Sequence, residues 1–197
     1  MEEHLAGFQL LMRRDSRWSR KIKLEHMSAK KISESETIMT QLVMPNDTNP
    51  LGNLMGGNLM KWMDVAAGIC AARHSNAHVV TASVDHISFA KPIHLGDTVT
   101  INACVTRAFT TSVEIFIEVF ASDIKGGNWR KANHAYFLFV ALDEDMKPMA
   151  IPEAMPLTSE EQSRYEAAKR RRDLRLILSG RMQPKDSIEL TNLFSKD

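Results

Sequence analysis

Between Asn58 and about His74 the apolar residues recur with a helical period, while through most of the central chain they recur at every second position. That contrast limits the fold to one buried helix served by several strands. Leu59, Met63, Ala66 and Cys70 share a helix face, with Trp62, Ala67 and Arg73 beside them. Alanines at 66, 67, 71 and 72 leave small residues nearly all round, which predicts a helix enclosed by other structure. Upstream, Ile38, Thr40, Leu42 and Met44 alternate with Thr37, Met39, Gln41 and Val43, and Pro45–Pro50 is dense in turn formers. Downstream, the period of two predicts strands at Val79–Phe89, around Val99–Val105, at Val113–Ala121 and around Ala135–Ala141. Glu114 and Glu118 fall on the opposite face of the third of these, and Gly126-Gly127-Asn128 marks a hairpin. The order is strand, helix, then four antiparallel strands in a meander, an α+β layer with the sheet wrapped on the helix.

A length of 197 residues suits one domain. The expected division is a basic extension over 1–35, a core over 36–157 and a C-terminal helix and tail over 158–197. Residues 1–26 read as a disordered extension or as the product of an upstream start, since Met27-Ser28-Ala29 resembles a start of translation. A nucleic-acid arm is the weaker alternative, because only Trp18 interleaves with the cations. The 25 basic and 24 acidic residues leave a net charge of +1, so no global field points to nucleic acid or an anionic membrane. Thr158-Ser159-Glu160-Glu161 is a capping box that opens a helix to about Leu178. Its Lys169-Arg170-Arg171-Arg172 run reads as a solvated face, with an anion contact as the sharper alternative. No apolar run reaches the roughly 18 residues of a membrane span, and the N-terminus lacks a secretory pattern, so a cytoplasmic location is expected. Two cysteines, Cys70 and Cys104, exclude a disulfide framework and a zinc cluster, and suit buried thiols.

The stretch richest in chemistry runs from Asn49 to Asp64, where a turn-rich loop passes through Gly52, Gly56 and Gly57 into the helix. The first amides of a helix lack internal acceptors and its dipole favours negative charge. Glycines there let a ligand oxygen reach the Gly56 and Gly57 amides, an oxyanion hole in outline. Asp64 lies two turns on, at the border of the apolar stripe, where a carboxylate can serve as general base or nucleophile; a structural acid is the plainer alternative. His74 ends the helix, where a cation suits the dipole. No Gly-x-Ser-x-Gly elbow or metal-spaced His/Cys cluster is present in the sequence.

Asn49-Pro50-Leu51-Gly52 with Gly56-Gly57, Lys61–Gly68 with Ala71–His74, Thr81–Asp85 and Phe89–Ile93 together resemble the hotdog-fold acyl-CoA thioesterases of the YciA-type and cytosolic brain acyl-CoA hydrolase family. The resemblance runs from about Thr37 to Asp173. It implies hydrolysis of fatty acyl-CoA to free acid and CoA. It also implies a dimer with active sites at the interface, commonly three dimers to a hexamer. Asn49 matches the family's catalytic asparagine and Asp64 its catalytic aspartate, one from each side of the interface. The Gly57 amide would hold the thioester oxygen and Asn49 would orient the water or the carbonyl. Asp64 would activate water, or attack directly. Gly56, Ser83 and Lys91 are implied acyl-CoA contacts, and Arg107 with the Lys169–Arg172 run would meet nucleotide phosphates. The implied site needs no metal and no cofactor, coenzyme A entering only within the substrate.

Two rival readings stand beside this one. A hydratase or dehydratase on the same fold needs a histidine near the helix start, and none occurs between His26 and His74. An acyl-CoA-sensing regulator needs a DNA-binding module, for which residues 1–35 are too few and too thinly apolar.

Overall fold

The computed structural model describes residues 28–85, 87, 89, 91–189 and 191. The expected extension over 1–26 lies outside them. A five-stranded antiparallel sheet contains β2 (Thr37–Leu42), β3 (His78–Val84), β4 (Thr98–Ala108), β5 (Ser112–Ser122) and β6 (Arg130–Leu142). Its concave face wraps α1 (Gly56–Ser75). This is the hotdog architecture: the helix period supplies the filling and the period-two segments supply the sheet. Leu59, Met63, Ala66 and Cys70 are buried against Val99, Ile101, Ile115, Ile117 and Phe137. The stripe expected from the sequence is therefore the face that packs.

Spatial order in the sheet is β2-β4-β5-β6-β3. β4, β5 and β6 form the expected meander, but β3 pairs with β6 at the far edge rather than with β4. β3 also ends at Val84, five residues before the expected Phe89. Alternation marks a strand without naming its neighbour. The long connection after β3 crosses the start of α1, where Leu54 N–H donates to the Ile93 carbonyl at 2.7 Å. α1 differs in a second respect. Met60, Val65 and Ile69 are 40%, 46% and 40% exposed, so the helix is enclosed on one side only. Alanine on a helix marks close packing but not which partner supplies it.

The flanks close onto this core. A short strand β1 (Lys30–Lys31) pairs in parallel with β7 (Ala154–Met155), and Ile32 enters the core. Packing thus begins upstream of the expected boundary at Glu36. The second long helix, α2 (Ser159–Leu178), starts at the expected capping box, in which Thr158 and Glu161 satisfy each other's backbone N–H groups. It lies on the convex face of the sheet, where Arg171 and Arg175 reach the fully buried Glu114 of β5. The basic run is accordingly not one solvated face. Arg171 is a structural ion-pair partner and stacks on Tyr136, while Arg172 lies over Phe109.

The C-terminus of α1 is finished by Asn76 in the left-handed region and by Lys30, whose Nζ reaches the Arg73 carbonyl and Asn76 Oδ1. Lys30 thus supplies the cation that suits the dipole. His74 is fully buried, and burial pushes its pKa below the ordinary histidine value. The Pro152 carbonyl can only accept, so His74 Nε2 carries the proton and Nδ1 accepts from Ser35 Oγ, both at 3.2 Å. A depressed folded pKa means that the unfolded chain binds the proton first. Stability is therefore full above the unfolded value of about 6.5 and falls as pH drops below it. Urea midpoints at pH 7.5 and 5.5 should show this drop, and His74→Gln should flatten it. Equal pH slopes in the two proteins would remove His74 as the cause.

Candidate active site

Backbone hydrogen bonds shape the loop before α1. Asn49 N–H donates to the Asn53 carbonyl at 2.8 Å, and Gly52 N–H to the Asn49 carbonyl at 2.9 Å, with Gly52 at φ 73°. That positive φ suits glycine. The Asn49 side chain closes the same turn. Its Oδ1 accepts from the Leu51 and Asn53 amides at 3.0 and 3.1 Å. Its carbonyl end is thereby committed, and Nδ2 is the end left to act as a donor.

The loop delivers the chain to α1 with an open end. Met55, at the N-cap, has no side-chain capping bond, and the first helical bond runs from Leu59 N–H to the Met55 carbonyl. The Gly56 and Gly57 amides therefore face outward without an acceptor among the described residues. A Cβ on Gly57 would meet nothing within 4 Å, so approach to its amide is unobstructed. A Cβ on Gly56 would stand 3.2 Å from the Phe89 ring, so glycine there admits that ring. Gly56, Phe89 and Lys91 line one cavity of about 330 Å³ with Asn53, Leu54 and Ile93.

Asp64 lies on a different surface. Thr81 of β3 donates to its Oδ1 at 2.7 Å, leaving Oδ2 without a partner among the described residues. The two residues line a shallow cavity of about 400 Å³ with Val65, Gly68, Ile69 and Phe139, on the exposed side of α1. Thr81 escaped the residue-by-residue reading. On an edge strand it is one more polar position, and only the pairing of β3 with β6 brings it to α1.

One chain therefore brings Gly56 and Lys91 together and sets Asp64 apart from both. Asn49 lines neither cavity. Ser83 stands opposite Leu138, which stands opposite Glu114, which stands opposite Arg107. Residues in one cross-strand row share a face, so Ser83 and Arg107 lie on the α2 side of the sheet, away from α1. The Ser83 hydroxyl is buried there without a partner among the described residues. Arg107 stacks on Tyr165 at 3.9 Å and donates to its carbonyl at 3.2 Å. Burial pushes the Cys70 and Cys104 thiols up, that of Cys104 to about 11, which suits inert packing. Among the described residues no His/Cys/Asp/Glu cluster could hold a metal, and no helix is long and apolar enough to cross a membrane.

A helix wrapped by an antiparallel sheet, entered through open glycine amides and carrying one oriented carboxylate, defines a hotdog-type thioesterase scaffold. Comparison with known proteins agrees: residues 51–127 match the thioesterase superfamily. The chain is 41% identical over 128 residues to the uncharacterized acyl-CoA thioester hydrolase YkhA of Bacillus subtilis, covering 65% of this chain and 74% of that protein. It is 38% identical to the mouse cytosolic acyl coenzyme A thioester hydrolase, over 71% of this chain but only 37% of that protein's length. An acyl-CoA hydrolase from Staphylococcus aureus, solved with butyryl coenzyme A, coenzyme A and coenzyme A disulfide, is 37% identical with a TM-score of 0.72, covering 77% of this chain and 94% of that one. An apo-hexameric acyl-CoA thioesterase is 34% identical with a TM-score of 0.74, covering 77% and 97%. The chain belongs to the acyl-CoA thioester hydrolases of this superfamily. The S. aureus hydrolase has also been solved with alanine at an asparagine, at an aspartate 15 residues later and at a threonine 17 residues beyond that. Asn49, Asp64 and Thr81 follow here in the same order and spacing.

Proposed function

We propose that the protein hydrolyses acyl-CoA thioesters to a free acid and CoA. The observation that carries this reading is the Thr81–Asp64 hydrogen bond on a helix whose Gly56–Gly57 amides are open. The names of the relatives and the coenzyme A complexes of the S. aureus hydrolase support the substrate class. In the proposed reaction the Gly57 N–H, from the subunit that supplies Asn49, holds the thioester oxygen as negative charge develops on it. Thr81 fixes one carboxylate oxygen of Asp64, and the other takes a proton from the attacking water. Asn49, with Oδ1 committed to its own loop, donates through Nδ2 to the water or the carbonyl. The C–S bond then breaks and the CoA sulfur leaves with the proton. Gly56 and Lys91 line the entry cavity and receive the acyl-CoA, while Arg107 lines a cavity of about 250 Å³ with Phe109, Lys169 and Arg172 that suits its nucleotide phosphates.

We propose further that copies of the chain assemble so that Asn49 of one subunit faces Asp64 of another. The two residues line no common cavity in one chain, the Val65–Ile69 face of α1 is open, and β3 is an edge strand with no partner on its outer side among the described residues. The hexameric relative supports self-association. Thiol release from an acyl-CoA series tests the activity. Mixing inactive Asn49→Ala and Asp64→Asn proteins tests the sharing. In a randomly mixed two-fold dimer, half the pairs are hybrid and each carries one intact site of two, so about a quarter of wild-type activity should return. No recovery after verified subunit exchange would place both residues in one subunit's site.

A further inference from the structure

Glu114 is fully buried on the convex face, and three groups converge on its carboxylate. Arg171 donates to Oε1 from Nε at 3.1 Å and from its terminal nitrogen at 2.7 Å, and Thr106 donates to Oε1 at 2.6 Å. Arg175 donates to Oε2 at 2.8 Å. The same Arg175 nitrogen also reaches Asp85 Oδ2 at 2.7 Å. Asp85 directly follows β3 and begins the connection to β4. Four residues later Phe89 covers Gly56, and two further on Lys91 lines the entry cavity.

That connection is held at both ends. At its far end the Ile93 carbonyl accepts from Leu54 N–H, and Asp97 pairs with Arg130 at 2.6 Å. At its near end Asp85 N–H donates to the Tyr136 carbonyl at 2.9 Å, and the Asp85 carboxylate meets Arg175, which is 14% exposed. Among the described residues Arg175 is the side-chain tie at that end. Arg171 meets Glu114, the Arg164 carbonyl at 3.2 Å and the Tyr136 ring, so of the two arginines only Arg175 reaches a side chain of the site segment.

We propose that Arg175 is a positioning residue: by bridging Glu114 to Asp85 it fixes where Phe89 stands over Gly56 and where Lys91 lines the entry cavity, so that the C-terminal helix sets substrate affinity from the opposite face of the sheet. The inference rests on the thioesterase reading. Thr81 is paired separately with Phe139 in the sheet, so the Asp64 carboxylate keeps its orientation when the tie is cut. The loss therefore falls on KM rather than kcat. Slackening a binding wall by a fraction of an ångström costs about tenfold, short of the roughly hundredfold of a full ångström at reacting groups.

The test compares Arg175→Met, Arg171→Met and Asp85→Ala in the full chain, by thiol release and thermal melting. Arg175→Met and Asp85→Ala should each raise KM about tenfold with kcat within about twofold. Arg171→Met should lower Tm comparably with Arg175→Met and leave KM unchanged. Asp85→Ala removes the acceptor and keeps the Glu114 cluster intact, so it decides the matter if Arg175→Met does not fold. Unchanged KM in Asp85→Ala, or an equal KM rise in Arg171→Met, overturns the positioning role. Absence of thiol release from the wild type would instead overturn the proposed function itself.

Discussion

Asp64→Asn is expected to reduce kcat for acyl-CoA hydrolysis by about 10²–10⁴-fold with KM nearly unchanged, the range typical of removing a positioned general base. The asparagine keeps the volume and can still accept from Thr81, so α1 should pack as before. What disappears is the free Oδ2 lone pair that takes the proton. Thr81→Val should cost less, about tenfold, since it frees the carboxylate to rotate without removing it. The two effects should not add, because Thr81 acts only through Asp64. Steady-state kinetics on the two single variants and the double variant check this. If Asp64→Asn retained wild-type kcat, proton transfer would have to be assigned elsewhere.

Glu114→Ala should destabilise the molecule as much as truncating a large core side chain. It leaves Arg171 and Arg175, 20% and 14% exposed, without their shared carboxylate. Removing one partner of a buried ion cluster costs about 3–5 kcal/mol. At roughly 2–4 °C per kcal/mol for a chain of this size, Tm should fall by on the order of 10 °C. The triple variant Glu114→Leu, Arg171→Met, Arg175→Met should recover much of that loss, because it removes both arginines with their shared carboxylate and leaves only Asp85, 25% exposed, for water to solvate. A Glu114→Ala melt within about 2 °C of wild type would show that water reaches the cluster and that α2 is held by its aromatic contacts instead.

The parts legible in the sequence were those that local chemistry decides. The stripe of Leu59, Met63, Ala66 and Cys70 packs as its period required, and the capping box at Thr158 starts α2 where expected. Gly56 and Gly57 open the helix as their lack of side chains suggested. What stayed hidden depends on pairing between distant segments. The place of β3 beside β6 rests on hydrogen bonds that no alternation pattern names, and Thr81 meets Asp64 only once that pairing is made. Arg171 and Arg175 sit in a charged stretch typical of a solvated helix face. Their partner, Glu114, lies 57 and 61 residues upstream on a strand face that the alternation alone assigns to water. His74 reads as a helix-end cation until burial makes it neutral and Lys30 takes that place.

The identity of residue 114 also bears on how the chain is made. Arg171 follows Glu114 by 57 residues. At ribosomal speeds of about 5–20 residues per second, β5 therefore waits roughly 3–11 s for the helix that will cover it. Through that interval the convex face of the nascent sheet is bare. A leucine at 114 would extend the apolar surface already offered there by Phe116 and Tyr136, and would invite other unfinished chains to adhere. A carboxylate keeps that patch hydrated until the arginines arrive.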